Sequence, residues 1–230
     1  MREIVLDTET TGLDPASGDR LVEIGAVEIV DRVATGRTYH VLINPERDVP
    51  ADAERVHGHS TQSLKDKPLF VAVVAEFLAF IGDDPLVIHN AEFDTRFLNA
   101  ELARLGHPAL APERIVDTLA IARKKHPGAA NSLDALCDRY RIDRSRRVRH
   151  GALLDSEILV EVYCELMGGR QRSLGLASQV AVAAARRSGP RAPRPAPLPE
   201  RREAGAAAAH RAHLETLGAP TIWLKYLPTV

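Results

Sequence analysis

The chain has 230 residues, of which 45% are hydrophobic, so it can bury one sizeable core and still carry an appendage. Its net charge of −1 hides an acidic body, because residues 1–170 hold 21 Lys and Arg against 28 Asp and Glu, whereas residues 171–230 hold 9 against 3. An acidic body argues against a protein that binds nucleic acid only through contacts with the phosphate groups of the nucleic acid.

The composition also argues against a membrane protein. An apolar run of about 18 residues is absent, and the first residues do not resemble a signal peptide, so we expect a cytoplasmic protein. The two cysteines, Cys137 and Cys164, are expected to be free thiols, because a cytosolic protein rarely keeps disulfides.

The first part of the chain predicts three strands. Alternating and apolar segments place them at residues 3–9, 21–30 and 35–44. The short connection over residues 31–34 predicts an antiparallel hairpin between the second and third strands.

Helices and short strands then alternate. A helix over residues 68–81, rich in apolar side chains, ends at Gly82. The later elements are a strand at 86–89, a helix from a cap at Asn90 to Leu105, a strand at 115–117, a helix at 119–125 capped by Thr118, a helix from Asn131 or Ser132 to Tyr140, and a helix from Ala152, after Gly151, to Met167.

This order predicts an α/β fold with a five-stranded mixed sheet, flanked by helices on both faces. The first strand is expected in the middle of the sheet, because its apolar sequence fits burial on both faces. After Gly168 and Gly169 we expect an extended C-terminal tail. Residues 186–202 contain five prolines and six arginines, which indicates a linker, and helix propensity returns over residues 203–217.

Two carboxylates stand out on the first strand. Side chains in a strand alternate, so Asp7 and Glu9 point to the same side of an apolar segment. A half-buried pair of like charges is costly unless a positive charge neutralises it, and Mg²⁺ or Mn²⁺ is the natural candidate. The alternative is a frayed strand end with two solvated acids.

Further acids and a histidine follow. Asp94 comes one helical turn after the strand at 86–89, which places it near the C-terminal end of the sheet, or leaves it as an acid favoured by the helix dipole. His150 and Asp155 are five residues apart, so they do not share a helix face. His150 must therefore reach in from the preceding loop, unless it is a solvated side chain in an Arg-rich stretch.

Three segments resemble, in order and spacing, the exonuclease motifs of the DnaQ-like (DEDDh) 3′–5′ exonucleases. They are residues 7–12 (DTETTG), 89–94 (HNAEFD) and 150–155 (HGALLD). Within that superfamily, residues 2–170 look like the family of epsilon subunits of bacterial DNA polymerase III. The stretch at 131–137 (NSLDALC) carries the same resemblance.

The resemblance implies a ribonuclease-H-like fold and hydrolysis of the terminal phosphodiester with two divalent cations, Mg²⁺ or Mn²⁺. By resemblance, Asp7 bridges both metals, Glu9 and Asp155 complete the first, and Asp94 holds the second largely through water. His150 would be the general base, a role for which the ordinary imidazole pKa of about 6.5 is suited.

The family also suggests contacts to a single-stranded or frayed 3′ DNA end. Thr10, together with Asp7, Glu9 and Asp155, is expected to hold the terminal nucleotide, and His57 matches a nucleotide-contacting position. Asp52 stands where Glu is expected in the enterobacterial protein. Six arginines between residues 139 and 149 are either a solvated loop or a phosphate-tracking edge.

The tail predicts partners. Residues 171–176 resemble a sliding-clamp-binding motif, or are merely the start of a linker over residues 177–202. Residues 203–230 are expected to bind the polymerase (alpha) subunit, unless the tail folds back on its own domain, and the resemblance leaves open a small accessory subunit. The residues that carry these predictions are Gln171, Ser173, Leu174 and Leu176 for the clamp, and Trp223, Leu224, Tyr226 and Leu227 for the polymerase.

Two other functions compete with a proofreading exonuclease. One is another DEDDh exonuclease that acts on RNA or single-stranded DNA ends, and the other is a non-catalytic scaffold of the polymerase complex. The basic tail with its aromatic end argues against the first. The complete set of acids with His150 argues against the second, because a scaffold does not need clustered acids.

Overall fold

The computed structural model describes residues 1–145, 147, 149–169 and 205–216. The chain divides into two units, Met1–Leu174 and Gly175–Val230. In the second unit a helix spans Ala206–Thr216, inside the predicted helix. The predicted clamp motif, linker and aromatic end, including Trp223, lie outside the described residues.

The first unit contains the predicted five-stranded mixed sheet. Its strands follow the order β3-β2-β1-β4-β5, so β1 is central, as expected. β1 pairs antiparallel with β2 and parallel with β4, β2 pairs antiparallel with β3, and β4 pairs parallel with β5. The strands span Arg2–Thr10 (β1), Leu21–Val30 (β2), Val33–Leu42 (β3), Leu86–Ile88 (β4) and Ile115–Asp117 (β5).

The β2–β3 hairpin is tighter than the sequence predicts. Val30 pairs directly with Val33, so the loop contains only Asp31 and Arg32. Both residues have positive φ, 50° and 66°, which is the geometry of a two-residue hairpin turn. Asp-Arg lacks the glycine that normally signals such a turn, and the prediction therefore began the third strand two residues too late.

Seven α-helices accompany the sheet in the described part of the first unit. Neither α1 nor α2 was predicted, because a helix of four to seven residues is too short to show a clear period. The helices span Ala51–His57 (α1), Thr61–Leu64 (α2), Phe70–Ile81 (α3), Ala91–Arg104 (α4), Thr118–Lys125 (α5), Leu133–Tyr140 (α6) and Ala152–Leu166 (α7).

Two of the predicted helix caps are wrong. Asn90 precedes α4 with a φ of 64°, and its side chain makes no capping bond. The N-terminus of α5 is capped by Asp117, which accepts a bond from Leu119 N at 2.9 Å. Thr118 is the first residue of α5, and its hydroxyl contacts His89 instead. Ser132, one of the two candidates, caps α6.

Both faces of the sheet are covered. Ile4 on β1 is fully buried in one apolar cluster with Phe97 of α4, and Val5 is fully buried in a second cluster with Leu159 of α7. The alternation of a strand thus sends neighbouring residues into two cores, which confirms the double burial expected for the first strand.

Two further observations concern the helices and the cysteines. Among the described residues, no helix combines the length and apolarity needed to cross a bilayer. Cys137 and Cys164 are not joined by a disulfide.

Candidate active site

Asp7 and Glu9 lie on the face of β1 that looks toward α7, in line with Val5. Glu9 is 8% exposed and stands opposite Glu23 on β2. Among the residues that the structure describes, none donates a hydrogen bond to the side chain of Asp7 or Glu9. The two carboxylates are therefore crowded, largely removed from water and without a local donor.

Helix α7 brings Asp155 to this pair through a close contact with β2. Gly25, which pairs with Asp7 in the sheet, leaves so little room that a Cβ atom there would lie 2.1 Å from Leu153 N. Ser156 Oγ donates to Gly25 O at 2.9 Å and fixes the same contact. Asp155, only 2% exposed, is held beside the β1 acids as a result.

Asp94 lies on α4, the helix that packs on the opposite face of the sheet from α7. It lies in the first turn of α4, directly after β4, the parallel neighbour of β1, and it is 3% exposed. Thr8 points away from the face of Asp7 and Glu9, and its hydroxyl donates to Asp94 Oδ1 at 2.7 Å. The ends of two parallel strands thus place Asp94 with the β1 acids, as the sequence predicts.

His150 reaches the site from the loop before α7, as expected. Its backbone N–H donates to Val56 O of α1 at 3.2 Å, and its Nδ1 lies 3.4 Å from Asp155 Oδ2. Glu9, His150 and Asp155 each offer one ligand atom, and these three atoms lie within 4.8 Å of one another. Such spacing suits one small cation.

Burial and mutual repulsion disturb the titration of these acids. Burial, followed by the charges of Asp94 and Glu9, raises the pKa of Asp7 well above its ordinary value. Burial and the neighbouring Glu23 raise the pKa of Glu9 to about 8. Burial raises the pKa of Asp94 to about 7, against the hydrogen bond from Thr8.

Asp155 behaves differently from the other acids. Burial acts to raise its pKa, but contacts with His150 and Arg147 outweigh that effect and hold the pKa below its ordinary value. Arg147 is the one arginine or lysine among the described residues that bonds to any of the four acids. The site as a whole thus carries more negative charge than its own cations neutralise.

This donor set fits a hard divalent cation. Carboxylate oxygens are the ligands that Mg²⁺ and Mn²⁺ prefer. Burial and the neighbouring acids both raise the pKa values of Asp7 and Glu9. A bound cation would supply compensating charge.

The site opens into a cleft of about 880 Å³. Its walls come from β1, from the starts of α4 and α6, from α5 and from the loop before α7. Its lining includes all five predicted catalytic residues together with His89, Asn90, Phe93, Arg123, Ser132 and Asp134.

Sequence analysis did not single out Arg147. Its side chain is only 8% exposed and donates to Asp155 Oδ2 at 2.7 Å through Nη2, although it belongs to a run of six arginines. Arg144 in the same run stays at the surface with Asp134 and Asp138. Nothing in the pattern of the run distinguishes Arg147 from the arginines around it.

The three predicted nucleotide-contacting residues outside the acid cluster do not line the cleft. Thr10 is buried and donates to Gly12 O at 2.6 Å. His57 stacks on His59, its Nε2 has no hydrogen-bond partner, and burial lowers its pKa to about 4. Asp52 lies exposed on α1, paired with Arg55. Their roles stay predictions.

Sequence comparisons agree with the architecture. A family model described as "Exonuclease" (RNase_T) matches residues 4–163. The chain is 54% identical over 185 residues to the DNA polymerase III subunit epsilon of Rickettsia conorii, covering 79% of this chain and 80% of that protein. It is 47% identical over 185 residues to the same subunit of Escherichia coli, covering 77% and 76%.

Solved structures show the same fold. Exonuclease X, in complex with 5′ overhanging duplex DNA, matches with a TM-score of 0.58 at 26% identity, over 72% of this chain and 90% of that one. A zinc-bound E. coli exonuclease I–single-stranded DNA complex matches with a TM-score of 0.63 at 19% identity, over 74% and 41%. With its ribonuclease-H-like sheet and clustered acids, the chain belongs to the DNA polymerase III epsilon subunit family of proofreading 3′–5′ exonucleases.

Proposed function

We propose that the chain hydrolyses the terminal phosphodiester of a DNA 3′ end with two divalent cations, Mg²⁺ or Mn²⁺, held by four carboxylates. The observation that carries this proposal is the convergence of Asp7, Glu9, Asp94 and Asp155 with His150 in one cleft. They come from a strand, two helices and a loop. Carboxylates that repel one another in this way are expected to be buried together only where a bound ligand offsets the repulsion.

The four acids have different tasks in this proposal. Asp7 would bridge both cations, Glu9 and Asp155 would complete the first, and Asp94 would hold the second largely through water. When bound, the cations supply charge stabilisation for the attacking and leaving oxygens of an in-line displacement. Thr8 orients Asp94 by its 2.7 Å hydrogen bond.

His150 would act as the general base. Its ring lies 3.4 Å from Asp155 Oδ2 and its side chain is 47% exposed, so it can meet a water molecule that enters the cleft. Transfer of the proton from that water to the imidazole prepares the hydroxide-like oxygen that attacks the phosphorus.

Single-turnover release of the terminal nucleotide from a mispaired primer tests the role of His150. We expect His150→Ala to lower the rate by about 10²–10⁴-fold, the usual contribution of a general base. His107→Ala, in the loop after α4 and outside the cleft, is the matched control and should keep the wild-type rate. A His150→Ala rate close to wild type at every pH would remove His150 from this role.

We propose a single-stranded or frayed 3′ DNA end as the substrate, with Thr10, Asp52 and His57 as further contacts. The names of the relatives and the DNA in the Exonuclease X complex support DNA over RNA. Equal rates on a DNA primer and an RNA of the same sequence would contradict this choice. Absence of metal-dependent release from either would favour a scaffold.

The partners we propose follow from the tail and from the relatives. Residues 203–230 would bind the polymerase subunit and residues 171–176 the sliding clamp, and a small accessory subunit is a further candidate. These contacts would place the protein in the cytoplasm, at the replication machinery. Tethering would raise the local concentration of the nuclease at the primer end.

Reconstitution with the cognate polymerase and clamp tests the tail. We expect the full chain to co-elute with the polymerase, and a version that ends at Gly169 to lose this while still degrading a free 3′ end. Leu174→Ala with Leu176→Ala should weaken clamp binding alone. Unchanged polymerase binding by the short version would contradict the assignment of the tail.

A further inference from the structure

Arg147 places a buried positive charge inside the active site. Its Nε and Nη2 atoms donate to the two oxygens of Asp155, Nη2 at 2.7 Å, which makes a bidentate fork. Its Nη1 atom donates to Asp134 Oδ1 at 2.6 Å. All three guanidinium nitrogens are therefore engaged, and the side chain is only 8% exposed.

The same guanidinium also contacts His150. Two groups face His150 Nδ1: Arg147 Nη2 at 2.8 Å and Asp155 Oδ2 at 3.4 Å. The arginine contact is the shorter, and an arginine can only donate, so we take Nδ1 as the acceptor. A neutral imidazole whose Nδ1 accepts carries its proton on Nε2. In this arrangement neither ring nitrogen of His150 has a lone pair free to take a proton from water.

Arg147 and a divalent cation compete for the same carboxylate. Both oxygens of Asp155 already accept from the guanidinium, and two cations on one carboxylate repel each other at short range. Asp7 and Glu9, by contrast, receive no hydrogen bond from the described residues. Among the proposed ligands of the first cation, Asp155 is thus the one whose oxygens already accept hydrogen bonds.

We propose that Arg147 is a built-in counter-ion that holds Asp155 and His150 in a resting arrangement, and that a divalent cation must displace its side chain to bind. This inference rests on the metal site proposed above. Arg147 is a positioning residue in this account, since its departure frees both a metal ligand and the base.

The position of Arg147 in the chain allows the displacement. It lies between the end of α6 at Tyr140 and the start of α7 at Ala152, outside any helix or strand. Asp134, whose side chain is 45% exposed, remains available as a partner at the rim of the cleft. The guanidinium can therefore leave Asp155 without losing every partner.

Calorimetric titration of the full chain with MnCl₂ tests the proposal. We expect Arg147→Ala to bind Mn²⁺ about tenfold more tightly than wild type, which corresponds to about 1.4 kcal/mol. Arg144→Ala is the matched control, because Arg144 also pairs with Asp134 but does not touch Asp155. It should bind Mn²⁺ as wild type does.

Two outcomes would overturn the proposal, and a third would overturn the metal site on which it rests. Equal or weaker Mn²⁺ binding by Arg147→Ala would show that Arg147 does not compete with the cation. An equal gain in Mn²⁺ affinity in Arg144→Ala would show that the loss of any positive charge near the site is enough to explain the effect. Absence of Mn²⁺ binding by the wild-type chain would instead overturn the metal site itself, and so distinguishes failure of the proposed function from failure of this inference.

A second variant and a second readout cover the case in which Arg147→Ala does not fold without metal. Arg147→Lys keeps the charge but cannot form the fork. We therefore expect it to bind Mn²⁺ more tightly than wild type, by a smaller factor than Arg147→Ala does. Nitrogen-15 spectra of the metal-free imidazoles should show His150 protonated at Nε2 in wild type, and should lose this preference in Arg147→Lys. An unchanged His150 spectrum would contradict the contact.

Discussion

The backbone of Gly25 lies so close to that of Leu153 that a Cβ atom at position 25 would fall 2.1 Å from the Leu153 nitrogen. Gly25 pairs with Asp7 in the sheet, and Leu153 is two residues before Asp155. The missing side chain on β2 thus sets the distance between the acid on the strand and the acid on the helix.

Gly25→Ala should damage the site through this contact. The atoms that the new methyl group would meet are backbone atoms, so α7 must move as a unit, and overpacking of this kind costs about 1–3 kcal/mol. We expect a lower melting temperature and loss of most exonuclease activity. Gly151→Ala, at the start of α7 with no atom within 4 Å, should have a clearly smaller effect on the melting temperature. Equal melting temperatures for Gly25→Ala and wild type would show that α7 has room to adjust.

The stability of the metal-free protein should fall as the pH rises. The folded-state pKa values of Asp7, Glu9 and Asp94 lie above their ordinary values, so these acids bind more protons in the folded protein than in the unfolded chain. His57 and His89 act in the opposite sense below about pH 6.5, because burial lowers their pKa values, that of His57 to about 4. The free energy of unfolding therefore decreases most clearly between about pH 6.5 and about pH 8, near the pKa of Glu9. Thermal unfolding in EDTA at a series of pH values measures this slope.

Asp7→Asn should flatten that slope, because it removes one of the repelling charges. We expect its metal-free melting temperature near pH 8 to exceed that of wild type, by about 2–4 °C for each kcal/mol of relieved repulsion. Asp52→Asn, at the exposed surface of α1, is the control and should follow wild type. A steeper fall for Asp7→Asn would contradict the raised pKa values.

Thr8→Val should reduce activity with little effect on folding. The side chains are similar in shape, but valine cannot donate to Asp94 Oδ1. Loss of a hydrogen bond that orients a metal ligand typically costs about 10–100-fold in metal affinity or activity. Thr38→Val, on the exposed edge strand β3, is the matched control. Wild-type rates at limiting Mn²⁺ would show that Thr8 does not orient Asp94.

Arg20 and Glu101 stabilise the helix that carries Asp94. Arg20 donates to both oxygens of Glu101, at 2.6 and 3.0 Å, and Glu101 is 3% exposed. Arg20→Met leaves a buried carboxylate with one weaker partner and should cost about 3 kcal/mol in chemical denaturation. The double variant Arg20→Met with Glu101→Leu should recover most of that loss. A double variant less stable than Arg20→Met would contradict this reading.

The sequence predicted most of the sheet and the five catalytic candidates because their signals are local. Strand alternation placed Asp7 and Glu9 together, and the spacing of His150 and Asp155 required a loop and a helix. The predicted length of the β2–β3 loop was wrong, because the turn at Asp31 and Arg32 contains no glycine or asparagine to mark it.

Features that depend on contacts made only in the folded chain could not be predicted. Arg147 looks like its neighbours in an Arg-rich loop, and only the folded position of Asp155 distinguishes it. The close approach of Gly25 to Leu153 joins residues 128 positions apart, and no local pattern marks such a glycine.

The most direct test of the two-cation site is release of the terminal nucleotide from a 3′-mispaired primer by Asp7→Asn. With Mn²⁺ or Mg²⁺ present, the wild-type chain should release single nucleotides, and EDTA should stop it. Asp7→Asn should show no measurable release although its thermal unfolding proves it folded. Retention of most of the activity by folded Asp7→Asn would contradict the account.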